Sequence, residues 1–108
     1  MILEVAPLHV LPHLTTQFEA AFAQAQRIIA SMPGYLSHEL GRCTEHPNQY
    51  ILLVRWQTLA DHEVGFRQSS QYLQWKQLLH HFYDPFPTVL HYATVAQSAT
   101  SPIATAQP

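Results

Sequence analysis

Residues 50–56 constrain the fold more than any other part of the chain, because they are apolar at both alternating sets of positions. One set is Tyr50, Leu52, Val54 and Trp56, and the other is Ile51 and Leu53. Successive side chains of a strand point to opposite faces of its sheet. A strand that is apolar on both faces is typical of a sheet covered on both sides. The run therefore predicts a central strand.

Two further strand patterns precede this run. Residues 2–10 alternate as a strand does, and Pro7 within them favours an edge position or a bulge. Residues 35–43 form a second run, and the turn-forming residues 44–49 join it to residues 50–56. We therefore expect a hairpin between the second and third strands.

A helix is predicted between the first two strands. Thr16 and Glu19 have the spacing of a capping box, which is expected to open it. Pro33 and Gly34 are expected to end it. Its apolar stripe recurs at steps of three and four residues, at Phe18, Phe22, Ala25, Ile29 and Met32.

Two more helices are expected after residue 56. Thr58 can cap a short helix over residues 59–66, with Gly65 near its end. Ser69 or Ser70 can cap a longer helix that runs to residue 82 or 83. The buried stripe of the longer helix is predicted to be Tyr72, Trp75, Leu79 and Phe82.

The last predicted strand covers residues 88–95, after a turn at residues 84–87. The order β-α-β-β-(α)-α-β predicts a ferredoxin-like α+β fold, a four-stranded antiparallel sheet with helices on one face. Residues 1–95 would form this one domain, and residues 96–108 have the composition of a disordered tail.

The second face of the sheet bears on the oligomeric state. Only 11% of the 108 residues are charged, against about 25% in a typical globular domain, while 47% are hydrophobic. The apolar second face could be incidentally exposed, or the sheet of a second copy could cover it. We favour the second interpretation, a homodimer with two-fold symmetry.

Composition excludes several classes of protein. The net charge is −2, and the five basic residues are dispersed, so we expect no nucleic-acid partner. The single cysteine, Cys43, rules out an internal disulfide and is expected to be a small buried strand residue. No leader segment and no long apolar run is evident, which favours a cytoplasmic protein without membrane contact.

Eight histidines are many for this length. Imidazole suits proton transfer or metal ligation near neutral pH. Their spacings match no metal template, and the adjacent His80 and His81 would point about 100° apart on a helix. A metal held across the fold by His38, His62 and His80 lacks support, so no metal site is predicted.

Residues 61–83 are the densest in chemically useful groups, and they suggest an apolar pocket for a small aromatic ligand. Three of them are candidate catalytic residues: Arg67 could hold an oxyanion, and His62 or His80 could move a proton. The candidate ligand-binding residues are His38, Phe66, Tyr72, Trp75, Phe82 and Tyr83. The alternative is that the aromatic residues are plain core and Arg67 is a solvated helix end.

Three segments together resemble the antibiotic biosynthesis monooxygenase family of the dimeric α+β barrel superfamily. They are residues 32–40 with the Pro-Gly-Tyr strand start, residues 50–58 with Trp before a short helix, and residues 62–75 with Phe-Arg-x-Ser-x-x-Tyr. The resemblance implies a homodimer whose subunits each hold a pocket between sheet and helices. Some members of the family oxidise polycyclic aromatic substrates without metal or flavin, and others bind and degrade haem.

The haem-degrading branch uses an Asn on the first strand, a Trp on the short helix and a His on the long helix. The corresponding positions fall near residues 4–6, at Phe66 and at Lys76, and none of them matches. Haem is therefore the weaker alternative, with His80 as its candidate ligand. The resemblance favours a cofactor-independent monooxygenase of a small aromatic or quinol-like substrate, and a non-catalytic ligand-binding or stress-related module is the other alternative.

Overall fold

The computed structural model describes residues 1–99 as a four-stranded sheet with helices packed on one face. The predicted tail falls mostly outside these residues. The strands are β1 (Ile2–His9), β2 (Tyr35–Arg42), β3 (Gln49–Trp56) and β4 (Leu90–Ala93). The helices are α1 (Thr15–Ala30), a short π-helical segment (Asp61–Phe66) and α2 (Ser70–Leu79), which a 3-10 turn (His80–Phe82) extends.

All strand pairs are antiparallel and follow the order β2-β3-β1-β4. β1 and β3 pair along their whole length, from Ile2 opposite Trp56 to His9 opposite Gln49. The predicted ferredoxin-like fold and the central position of β3 are therefore confirmed. Within residues 1–99, no helix has the length and apolar character needed to cross a membrane.

The core lies between the inner face of the sheet and the helices. Every residue of the predicted α1 stripe is buried, which confirms the helical period. From the other predicted stripe, Trp75, Leu79 and Phe82 are buried and Tyr72 is half-buried. The sheet contributes Ala6, Leu8, Val10, Tyr50, Leu52, Val54 and Trp56.

The capping box predicted from Thr16 and Glu19 is wrong. α1 begins after Leu14 and has no side-chain cap. The carboxylate of Glu19 instead accepts a hydrogen bond from the Tyr50 hydroxyl and lies 3.5 Å from the Arg42 guanidinium. Glu19 therefore ties α1 to the sheet, because a long-range partner competes successfully with the local cap.

The predicted caps of the later helices are confirmed. The Thr58 hydroxyl accepts from the Asp61 N–H at 3.2 Å, and the Asp61 carboxylate accepts from the Thr58 N–H at 3.1 Å. This reciprocal pair starts the short helix. Ser69 caps α2 by accepting from the Tyr72 N–H at 3.1 Å.

Three local predictions need correction. The sequence predicts an edge strand or a bulge at Pro7, whereas β1 is an interior strand. β4 pairs only with Ile2–Val5, however, so Pro7 lies beyond the end of the β1–β4 ladder. β4 covers Leu90–Ala93 instead of residues 88–95. Cys43 follows β2, is half-exposed, and places its Sγ 3.6 Å from a carboxylate oxygen of Glu45.

The outer face of the sheet is largely apolar and is uncovered in the single chain, although Glu39 and Arg55 share it by register. Tyr92, for example, is 52% exposed, and Leu3 lies directly opposite it in the ladder. The apolar residues that share this face by register are Leu3, Val5, Ile51, Leu53, Leu90 and Tyr92. The prediction that a second copy covers this face stays a prediction.

Gly34→Ala is expected to lower the free energy of unfolding by about 2 kcal/mol or more. Gly34 has φ of +82°, which disfavours any Cβ, and a Cβ there would collide with the Asp61 side chain. Urea unfolding measures the loss. Gly41→Ala is the matched control, since its Cβ would meet only the Ile51 Cγ2 at 3.5 Å, and an equal loss in both variants would contradict the prediction.

Candidate active site

A cavity of about 40 Å³ lies between the β1 side of the sheet and the helices. Glu4, Ala6, Leu8 and Leu52 form its sheet wall. The rest of the lining comes from the short helix, α2 and the segment that precedes β4: His62, Phe66, Arg67, Tyr72, Trp75, Leu79, His80, Tyr83, Phe86, Pro87 and Val89. The wall is mostly apolar, with a few polar groups that converge on one space.

The structure brings most of the predicted site residues to this cavity. All three candidate catalytic residues line it, together with Phe66, Tyr72, Trp75 and Tyr83. His38 and Phe82 lie elsewhere. The His38 ring is hydrogen-bonded to Tyr35 and to Gln26, and the Phe82 ring packs 6.0 Å from that of Phe18 in the core.

Glu4 is the site residue that the sequence analysis missed. Its side chain is on the inner face of β1, and the residue is only 5% exposed. The Trp56 Nε1–H donates to Glu4 Oε1 at 3.0 Å. Burial raises the pKa of the Glu4 carboxyl to about 7, although the indole hydrogen bond and the Arg67 charge lower it in part. The sequence contained one indication of it: the alternation of side chains along a strand places Glu4 on the same face as the buried Ala6 and Leu8.

His62 lies against Glu4 and is 2% exposed. Its Nε2 is 3.3 Å from Glu4 Oε1, and its Nδ1 is 2.7 Å from the Nε2 of His91. Burial, His91 and Arg67 lower the pKa of His62 to about 3. The ring is therefore neutral at pH 7, so its 3.3 Å contact with Glu4 is not an ion pair.

The wide turn of the π-helical segment explains how these groups meet. The Arg67 N–H donates to the His62 carbonyl at 2.9 Å, five residues earlier in the chain. With more than four residues in a turn, His62, Phe66 and Arg67 all face the cavity. An α-helical turn would bring fewer of them to one side.

Arg67 and His80 complete the polar part of the lining. The Arg67 guanidinium lies 5.3 Å from the centre of the Tyr72 ring, and its charge lowers the pKa of Glu4, His62 and His80. Burial is the main reason that the pKa of His80 falls to about 4. The cavity at neutral pH thus holds one guanidinium cation, neutral imidazoles and a carboxyl group near its titration midpoint.

The arrangement suits proton removal from a small, weakly acidic ligand. A base is most effective when its pKa is near the working pH, which describes Glu4 and neither histidine. Arg67 can stabilise the anion that results. Pockets for drug-sized ligands measure about 300–1,000 Å³, so a ring-sized ligand requires the lining to move. Phe86 is the large apolar lining residue with the greatest exposure, 56%.

The contacts of His80, the candidate haem ligand, do not suit haem. Its ring packs between aromatic side chains, 4.9 Å from the Phe86 ring and 5.7 Å from the Tyr83 ring. Within the part of the chain that the structure describes, no three histidine, cysteine or carboxylate side chains are grouped to hold a metal ion.

Known proteins share this fold and much of this sequence. The uncharacterized protein YczJ of Bacillus subtilis (strain 168) is 53% identical over 95 residues, which cover 88% of this chain and all of that protein. A crystal structure from Bordetella bronchiseptica, of a protein that carries the name antibiotic biosynthesis monooxygenase, is 35% identical with a TM-score of 0.84. The match covers 88% of this chain and 97% of the Bordetella bronchiseptica chain.

SnoaB from Streptomyces nogalater, a cofactor-independent oxygenase, has a TM-score of 0.69 at 20% identity, over 91% of this chain and 94% of its own. This likeness shows the fold alone. The sequence model for antibiotic biosynthesis monooxygenases matches residues 1–78. The sequence and the fold agree, and the chain belongs to the antibiotic biosynthesis monooxygenase family.

Proposed function

We propose that this protein is a monooxygenase that oxidises a small aromatic or quinol-like substrate with O₂, without metal or flavin. The observation that carries the proposal is the buried Glu4 carboxyl beside Arg67 in a cavity walled by aromatic rings. Membership of the family supports a monooxygenase, and the shared fold of SnoaB, a cofactor-independent oxygenase, supports the absence of a cofactor.

The chemistry begins with loss of an acidic proton from the substrate. The substrate anion, held by Arg67, is electron-rich and reduces O₂ directly. Oxygen then bonds to a ring carbon as a peroxide. For an anthrone, the CH₂ group and O₂ become a carbonyl group and one water, so that both oxygen atoms and both hydrogens are accounted for. Aromatic side chains such as Phe66 and Trp75 would hold the planar substrate.

The roles of the candidate residues follow from their protonation states. His62 and His80 are neutral at pH 7 and have pKa values near 3 and 4, which makes them weak bases. Arg67 is the oxyanion holder. Glu4, with a pKa of about 7, is the group best matched to accept the substrate's proton.

We also propose that the protein works as a homodimer in which the outer faces of two sheets meet. The apolar set on that face supports this arrangement, because an uncovered apolar face of this kind marks an interaction site. The inner face already packs on the helices of the same chain. Each subunit would then keep its own cavity on the helix side.

Arg67→Met is expected to lower kcat/KM for oxygen uptake by about 10²-fold or more, because it removes the group that stabilises the anion. The measurement is O₂ consumption with a panel of hydroquinones and anthrones. Arg27→Met is the control, since Arg27 is exposed on α1 and outside the cavity. Uptake by the wild type no greater than that of a protein-free control would overturn the oxygenase proposal, and equal uptake by the wild type and Arg67→Met would overturn the role of Arg67. Saturable binding of the panel without uptake would favour a ligand-binding module.

A further inference from the structure

Three polar side chains in contact connect the cavity to the edge of the sheet, one link being a hydrogen bond and the other a 3.3 Å contact. Glu4 on β1, His62 on the short helix and His91 on β4 form one chain. The first link, from Glu4 Oε1 to His62 Nε2, is 3.3 Å, and the second, from His62 Nδ1 to His91 Nε2, is 2.7 Å. Glu4 and His62 are buried, whereas His91 is half-buried on the edge strand.

The sheet register fixes the two ends of this chain. Glu4 and His91 are direct partners in the β1–β4 ladder and share the inner face. The His62 ring stacks on the Trp56 ring, with centroids 5.4 Å apart, and lies 5.0 Å from the His91 ring. The bridging imidazole is therefore held by packing as well as by its hydrogen bond to His91.

We infer that Glu4, His62 and His91 form a proton relay between the cavity and solvent, which takes up the substrate's proton and returns a proton when the peroxide releases water. The identity of the proton donor rests on the proposed function, whereas the path rests on the contacts alone.

The two contacts allow a single transfer along the chain. A protonated Glu4 would donate its O–H to His62 Nε2 across the 3.3 Å contact, while the His62 Nδ1–H donates to His91 Nε2. Each proton then moves along one link. Glu4 becomes a carboxylate that accepts from His62 Nε2–H, and His62 Nδ1 accepts from His91 Nε2–H. One proton enters at Glu4 and one leaves to water from His91 Nδ1.

The surrounding charges favour transfer of the proton through the His62 ring over its retention there. Groups from several elements face Glu4: the His62 and His91 rings, the Arg67 guanidinium, the Trp56 N–H and the Tyr83 phenol. Burial and the nearby Arg67 lower the pKa of His62 to about 3, so that the ring does not retain a second proton at pH 7. The pKa of Tyr83 is raised, because burial and nearby charges, Glu4 among them, oppose its ionisation.

The first test needs no substrate. Imidazole ¹⁵N resonances would be followed by NMR from pH 5 to 9 in the wild type, in Glu4→Gln and in His81→Asn. In the wild type and in His81→Asn, the His62 nitrogens, which have a pKa of about 3 and stay neutral in this range, should report the titration of Glu4 near pH 7. In Glu4→Gln that transition should disappear. His81 is the control because it is exposed and outside the cavity. A His62 transition that is unchanged in Glu4→Gln would overturn the relay.

The second test uses oxygen uptake. His91→Asn should lower kcat about tenfold in dilute buffer with KM unchanged, less than the 10²–10⁴-fold loss expected when the base itself is removed. Added imidazole should restore the rate, which it would not do if His91 were only structural. Wild-type turnover of His91→Asn in dilute buffer would also overturn the relay. If no substrate supports uptake by any variant, the oxygenase proposal fails, and the NMR result still decides whether the proton path through these three residues exists.

Discussion

Glu4→Gln is expected to raise the free energy of unfolding by about 3 kcal/mol at pH 8 and to leave it nearly unchanged at pH 4. The pKa of Glu4 rises from 4.5 to about 7 in the folded protein, and each unit corresponds to about 1.4 kcal/mol. A raised carboxyl pKa means that the stability present below pH 4.5 is lost as the pH rises to 7. Glutamine removes that loss because it keeps the shape without the charge.

Urea unfolding at pH 4, 5, 6, 7 and 8, followed by tryptophan fluorescence, measures this effect.

His62→Gln is the matched variant. The pKa of His62 falls from 6.5 to about 3, so stability present above pH 6.5 is lost as the pH falls. Between pH 4.5 and 6.5 the two groups nearly cancel in the wild type. Glu4→Gln should therefore lose stability with falling pH, and His62→Gln with rising pH, each by about 1.4 kcal/mol per unit. A Glu4→Gln variant less stable than wild type at pH 8 would contradict the assignment.

Leu53→Lys is expected to dissociate the proposed dimer and to raise its Kd by at least about 10²-fold. Leu53 is in the middle of the outer face, between Val5 and Glu39 in the register. A lysine there can pair with Glu39 within the single chain, so the fold is kept. In the proposed dimer the ammonium group and Glu39 would both lose their water between two largely apolar sheets, a desolvation cost that the ion pair does not recover. Sedimentation equilibrium at micromolar concentration gives the mass.

Leu73→Lys provides the control for this experiment, because Leu73 is an exposed leucine of α2, on the helix side of the sheet. It should sediment as the wild type does. A wild-type chain that is monomeric at micromolar concentration would refute the dimer, and a dimeric Leu53→Lys would refute this interface.

The order of elements could be predicted from the sequence because it depends on local periodicity. The α1 stripe and the two-sided pattern of β3 each lie within one segment, and both appear in the structure. Where a side chain had both a local and a distant partner, the local interpretation failed. Glu19 could cap its own helix, yet it binds Tyr50 and Arg42 of the sheet.

The same distinction between local and distant contacts applies to the candidate site. Phe66, Arg67, Tyr72 and Trp75 were predicted because they are neighbours in sequence at helical spacing. Glu4 and His91 come from opposite ends of the domain, and only the β1–β4 register makes them partners. A single sequence does not contain that register, and the π-helical turn that aims His62 at Glu4 has no composition signal of its own.

The short pairing of β4 has a consequence for the range of ligands that this fold can accept. β1 loses its β4 partner after Val5, and residues 84–89, which belong to no strand or helix, pass beside the cavity there. Phe86, Pro87 and Val89 are thus lining residues outside any ladder. Sequence change in these six positions can resize the pocket without disturbing strand pairing. Evolution and laboratory selection alike can alter ligand specificity at this segment while the Glu4–His62 pair stays in place.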